Sequence, residues 1–157
     1  MVIVEGMDNT GKSTLVQLLA EEFKLCKVAT YCKPKSLEMI HDYDFWLNLS
    51  PQPMIMDRHP AISDLIYGES LRGMSYISEK ESLAWAKDHL IIYCRPDLDK
   101  IQETFDERPQ MRGVKENLLR LLTFYETYME VVNHVLYDHN NLDEVKHAVR
   151  EYLQSSN

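Results

Sequence analysis

What the sequence has little of narrows its class first. It holds only three cysteines, Cys26, Cys32 and Cys94. The number is odd and no CxxC spacing occurs, so neither a disulfide framework nor a zinc site is expected, and the setting reads as reducing and cytoplasmic. No apolar run approaches the roughly 18 residues of a membrane span, which excludes a membrane partner from the expectations. The apolar opening Met1–Val4 is short and runs into acidic Glu5, which is not the pattern of a signal peptide. Repeats, low-complexity tracts and linkers are absent, so a single domain over residues 1–157 is expected. An excess of basic residues is also missing. Seventeen Lys and Arg against 25 Asp and Glu leave a net charge of −8. That balance argues against coating nucleic acid by bulk electrostatics, although a local basic cleft stays compatible with it.

What is present is the composition of a globular domain, 45% hydrophobic and 27% charged. A chain of 157 residues buries about 70% of its unfolded surface. Five short apolar runs read as buried strands: Val2–Val4, Lys27–Tyr31, Pro53–Met56, His89–Tyr93 and Val135–Tyr137. Helical spacing lies between them. After the first strand, Leu15, Leu18, Leu19 and Phe23 recur at steps of three and four. Further helices are predicted over Ser36–Leu49, Ala61–Leu71, Ser78–Lys87, Asp97–Asp106, Val114–Val132 and Leu142–Gln154. Ser78 and Glu81 form a capping box, and Asp143 and Glu144 suit a first helical turn. Strands alternating with helices require crossover connections. The expected fold is therefore α/β, a mostly parallel sheet with helices on both faces.

The stretch GMDNTGKST at residues 6–14 carries more than a strand-to-helix turn needs. It fits G-x-x-x-x-G-K-[ST] in the context that pattern demands, an apolar strand before and an amphipathic helix after. Gly6 and Gly11 let successive backbone N–H groups of Asn9, Thr10 and their neighbours face one concavity, and the helix dipole adds to its field. Lys12 can reach the β- and γ-phosphates of ATP, Ser13 offers a hydroxyl to Mg²⁺, and Thr14 closes the motif. The alternative, a glycine-rich turn with a chance lysine, leaves the full spacing and context unexplained.

PMIMD at Pro53–Asp57 is an apolar strand ending in a carboxylate, a setting suited to a Mg²⁺-associated aspartate. Arg58 follows, and a planar guanidinium there suits a second anion. No NKxD base-reading motif of a GTPase occurs and the chain is short for a motor ATPase, so a kinase is favoured.

At these residues the sequence resembles the thymidylate kinase family. IVEGMDNTGKST looks like its first strand and phosphate loop. MDRHPAISDLIYG looks like its DR(Y/H)xxS…Y element, with Ser63 one position late, and VLYDHNNLDEV looks like its closing strand and last helix. The resemblance implies a three-layer P-loop kinase fold with a five-stranded parallel sheet, transfer of the ATP γ-phosphate to a nucleotide, and a homodimer. It places Asp8 near the acceptor sugar or phosphate, Asp57 at the metal and acceptor, Arg58 as the acceptor clamp and, more loosely, Arg72 near the base. It implies lid arginines, for which ERPQMRG at Glu107–Gly113 offers Arg108 and Arg112; as a plain solvated loop the same segment would do nothing. The family's EPGGT-type segment is replaced by CKPKS, where Lys33 and Lys35 either contact anions or lie on the surface.

Three functions compete on this reading. The leading one is a Mg·ATP-dependent kinase for a deoxynucleoside monophosphate. The second changes the acceptor to a hydroxyl, on a nucleoside or on a modified pyrimidine in DNA such as hydroxymethyluracil. Small phage kinases similar to this family act there, and such an encoded enzyme would work in the host cytoplasm. Asp8 or Asp57 would then be a general base. The third is a nucleotide-binding regulatory module without turnover. Among other side chains, His59 reads as a packing or hydrogen-bonding neighbour of the site more than as a base. Phe124, Tyr125 and Tyr128 read as core. Trp46 either lines the acceptor pocket or caps the core.

Overall fold

The structure is a computed structural model that describes residues 1–28, 34–95, 97, 99, 101 and 113–155. Five strands make one sheet: β1 (Val2–Glu5), β2 (Cys26–Val28), β3 (Met54–Asp57), β4 (Leu90–Cys94) and β5 (His134–Tyr137). Their order is β2-β3-β1-β4-β5, and every pairing is parallel. Parallel neighbours demand crossovers, and the helices α1 (Lys12–Phe23), α2 (Leu37–Asn48), α3 (Pro60–Tyr67), α4 (Glu79–Ala86), α5 (Leu118–Val131) and α6 (Leu142–Ser155) supply them.

Strand alternation assigns the two faces. Val2, Val4, Ile55, Ile92 and Cys94 point one way, into a core closed by Leu15, Val16 and Leu19 of α1 and by Val145 and Val149 of α6. Ile3, Met56, Ile91 and Tyr93 point the other way, against Leu47 of α2, Ile62 and Ile66 of α3, Ala86 of α4 and Leu121, Tyr125 and Tyr128 of α5. Both faces of the sheet are covered, as an all-parallel sheet requires. This is the three-layer α/β fold that the strand and helix periodicity predicts.

Local chemistry sets the element ends. Ser36 caps α2 by accepting from Met39 N at 3.3 Å. Ser78 and Glu81 form the predicted capping box at α4, and Asp143 and Glu144 occupy the first turn of α6. The helix expected over Ala61–Leu71 is interrupted: α3 stops at Tyr67 and a π-helical turn, Gly68–Arg72, follows. Gly68 explains the break, since a Cβ there would lie 2.6 Å from the carbonyl oxygen of Met74. The predicted Asp97–Asp106 helix and the end of the predicted second strand, 29–31, lie for the most part outside the described residues.

Tyr125, Tyr128 and Met129 are core side chains, and Phe124 is half-buried. Trp46 takes neither expected place. It is 69% exposed on the outer side of α2, edge-on to Phe45, because Ile40 and Leu47 provide the buried face of that helix. Among the described residues no helix is long and apolar enough to cross a membrane.

Candidate active site

The loop from Gly6 to Gly11 bends at three left-handed positions, Gly6 (φ 142°), Asn9 (φ 63°) and Gly11 (φ 82°). Glycine is required at the first and last. A Cβ on Gly6 would lie 2.5 Å from the Cys94 carbonyl oxygen, and one on Gly11 would lie 2.7 Å from Cε1 of His139. The loop therefore sits directly on the end of β4 and on the loop that follows β5. Helix α1 starts at Lys12 without a side-chain cap, which leaves its first N–H groups available to an anion.

Lys12 is buried, and its ammonium donates to the carbonyl of Met7 and, at 3.5 Å, to Oγ1 of Thr10. Thr10 Oγ1 in turn donates to the same carbonyl at 3.0 Å. Burial, helped by the nearby Arg58 cation, lowers the Lys12 pKa to about 8, and Asp57 and Asp8 oppose the shift. The positive charge is thus held inside the loop on its own backbone, poised for a stronger acceptor. Ser13 Oγ donates to Oδ2 of Asp57 at 2.5 Å, joining the first turn of α1 to the end of β3.

At the other side of the loop, Arg58 occupies a left-handed conformation (φ 67°), unusual for a residue with a side chain. Its backbone N donates to Val4 O at 2.9 Å. Its guanidinium reaches back over the phosphate loop. Nε and Nη2 donate to Gly6 O at 3.2 and 3.1 Å, and Nη2 also donates to Asp8 Oδ1 at 2.5 Å and to the Tyr67 hydroxyl at 2.7 Å. The Tyr67 ring lies 5.0 Å beneath the guanidinium carbon.

The residues singled out in the sequence, Gly6, Asp8, Asn9, Thr10, Gly11, Lys12, Ser13, Thr14, Asp57 and Arg58, come together at the carboxyl ends of β1 and β3. Others do not join them. Arg72 is bound to Asp64 Oδ1 at 2.5 Å, and Asp64 also accepts from Tyr76 N at 2.6 Å, so Arg72 ties down the π-helical turn. Lys35 is exposed ahead of the α2 cap. Arg108, Arg112 and Lys33 lie outside the described residues.

His59 is fully buried. Its Nδ1 accepts from Ala61 N at 3.1 Å and caps α3, while the ring stacks on Trp85 at 3.8 Å. Burial, reinforced by His89 and the N-terminal ammonium, pushes its pKa well below the usual 6.5, so it is neutral. Its Nε2 is the buried side-chain polar atom left without a hydrogen bond among the described residues.

One residue of this region was missed by the sequence reading. Glu5, the last residue of β1, has no exposed surface. Its Oε1 accepts from His59 N at 2.8 Å and from Ser63 Oγ at 3.5 Å, and its Oε2 accepts from the Tyr125 hydroxyl at 3.2 Å. Burial raises its pKa from 4.5 to about 7, against the pull of the His59 N–H, Arg58 and Lys12. The available signal was a carboxylate closing an otherwise apolar strand.

A triphosphate suits this donor set: a loop whose glycines cannot bear a Cβ, an inward lysine and an uncapped helix start. A hydroxyl and a carboxylate 2.5 Å apart also suit Mg²⁺, which takes one or two protein oxygens plus phosphate oxygens instead of a full protein cage. No cluster of three or more His, Cys, Asp or Glu among the described residues offers such a cage.

The fold is an all-parallel five-stranded α/β sheet covered on both faces, with the glycine-rich loop at the carboxyl end of its central strand. The chain matches no protein-family model and no curated protein sequence. Its backbone is similar to that of YorR protein from Bacillus subtilis, solved in complex with phosphorylated GDP. That likeness has a TM-score of 0.74 and 17% identity, over 98% of this chain and 95% of that one. It is also similar to deoxyadenosine kinase from M. mycoides with dCMP and dCDP bound (TM-score 0.57, 13% identity, 99% of both chains). A third likeness is to thymidylate kinase from Candida albicans (TM-score 0.56, 15% identity, 99% of this chain and 91% of that one).

Proposed function

We propose that this chain is a Mg·ATP-dependent kinase that transfers the γ-phosphate to a deoxynucleoside monophosphate. The observation that carries the reading is the meeting of Ser13 and Asp57 at 2.5 Å beside a loop shaped for a triphosphate. Lys12 would exchange its own loop carbonyl for phosphate oxygens. Ser13 and Asp57 would hold Mg²⁺, whose charge would offset that of the transferring group. Arg58 would hold the acceptor phosphate, with Asp8 fixing the guanidinium. Arg108 and Arg112 complete the proposal as lid arginines in a short segment, 107–113, of one kinase domain.

A phosphate acceptor is favoured over a hydroxyl by what already engages the two acids. Asp57 accepts from Ser13 and Asp8 is paired with Arg58, an arrangement for managing charge more than for removing a proton. A phosphate oxygen is a nucleophile without a base, so positioning and charge neutralisation suffice. The deciding experiment is ADP release measured with each deoxynucleoside monophosphate, with free nucleosides, and with plain and hydroxymethyluracil-containing DNA at two salt concentrations. Release with a free monophosphate is expected. Turnover with DNA alone, lost as salt rises, would establish the hydroxyl reading, and ATP binding without acceptor-dependent release would leave a binding module.

A further inference from the structure

Glu5 is a buried acid to which the proposed chemistry assigns no role. Strand alternation puts it on the face of Ile3, in the apolar layer with Tyr125. A carboxylate in that layer costs more than an apolar side chain of similar size, so its presence calls for something that it holds. It receives donors from three separate places: the backbone N–H of His59, the hydroxyl of Ser63 on α3 and the hydroxyl of Tyr125 on α5.

Those three places surround Arg58. His59 is the next residue in the chain, and its N–H is fixed immediately after the left-handed Arg58, a conformation that persists only where neighbours over-determine it. Ser63 and Tyr67 lie one helical turn apart on α3, and the Tyr67 hydroxyl oxygen accepts from Arg58 Nη2 at 2.7 Å. Tyr125 packs edge-on against Tyr67, ring centroids 6.2 Å apart. We infer that Glu5 is a positioning residue: its carboxylate locks the β3–α3 corner and the Tyr125–Tyr67 pair, and thereby aims the Arg58 guanidinium across the phosphate loop. Glu5 has no exposed surface and so touches no substrate; it acts through Arg58. This rests on the reading that Arg58 meets the acceptor phosphate.

The test uses Glu5→Gln, which keeps size and one acceptor oxygen, and Tyr125→Phe, which removes the donor to Oε2 together with that hydroxyl's own bonds to Tyr67 and Arg58. Two readouts are taken on each folded variant. One is kinetic, the KM for the best monophosphate acceptor against the KM for ATP. The other is the solvent exchange rate of the Arg58 Nε–H by NMR, which needs no turnover. Both variants should raise the acceptor KM about tenfold, the worth of one hydrogen bond, with the ATP KM within about twofold. The Arg58 Nε–H should exchange about tenfold faster as its bond to Gly6 O loosens. Exchange and acceptor KM both unchanged in Glu5→Gln overturn the inference and make Glu5 a structural acid only. A parallel rise in both KM values overturns it as well, because a loosened loop would do that. If no acceptor elicits ADP release from the wild type, the kinase reading falls, and the exchange rate alone then decides whether Glu5 positions Arg58.

Discussion

Two halves of the site are built in opposite ways. The phosphate loop takes its shape from the backbone: left-handed Gly6, Asn9 and Gly11, with packing too tight for a Cβ at either glycine. The Arg58 corner takes its shape from side chains, with Glu5, Asp8, Ser63, Tyr67 and Tyr125 holding one strained residue and its neighbour. The difference teaches where tolerance should lie. A backbone-made site fails when a single contiguous position changes, whereas a side-chain-made site degrades in steps as its partners are removed.

The sharpest way to break the comparison is Lys12→Ala. It spares the backbone cradle and removes the one charge held within it, so kcat should fall on the order of 10³-fold, as when a key electrostatic stabiliser is lost. Steady-state kinetics showing more than about a tenth of the wild-type rate would refute the assignment. Arg58→Ala should cost less, about 10- to 100-fold, and mostly in kcat/KM for the acceptor, since it removes charge-assisted bonds and leaves the ATP side in place. An equal loss in ATP affinity would merge the two halves into one.

The smallest expected effect concerns stability. Glu5 has a folded pKa of about 7 against an ordinary 4.5. The native state therefore binds more protons than the unfolded state between those values. The stability this confers is fully present below about pH 4.5 and is lost as pH rises through about 7, in total about 3 kcal/mol. Glu5→Gln removes that dependence, so its melting temperature relative to wild type should climb from pH 5 to pH 8. Taking the difference cancels the opposing contributions of His59 and His89, whose pKa values burial lowers. A difference that stays flat with pH would show that Glu5 is ionised throughout.

The same contrast explains what could be read in advance. The phosphate loop was legible because its instructions occupy nine consecutive residues, and the sheet was legible because each strand is a short apolar run bounded by helical spacing. Glu5 was not, since its partners stand 54 to 120 positions away and only folding brings them near. The π-helical turn was hidden for a similar reason. Gly68 looks like a loop marker until the backbone of Met74 is seen packed against it. Arg72 was read toward a base-contacting role because spacing alone could not reveal that Asp64, eight positions earlier, would bind it. Trp46 followed its neighbours in sequence, but helix phase turned it outward.

The stack of His59 on Trp85, continued by His89 at 4.2 Å on the indole, gives the protein a built-in optical gauge. Its two tryptophans stand in contrasting surroundings: Trp46 faces water, and Trp85 stacks on His59, the residue next to Arg58, with His89 tilted against it. Trp46 therefore supplies a steady, solvent-quenchable background emission. Trp85 supplies the signal that moves if the β3–α3 corner shifts, so a change at that corner can be followed by stopped-flow fluorescence without attaching a dye.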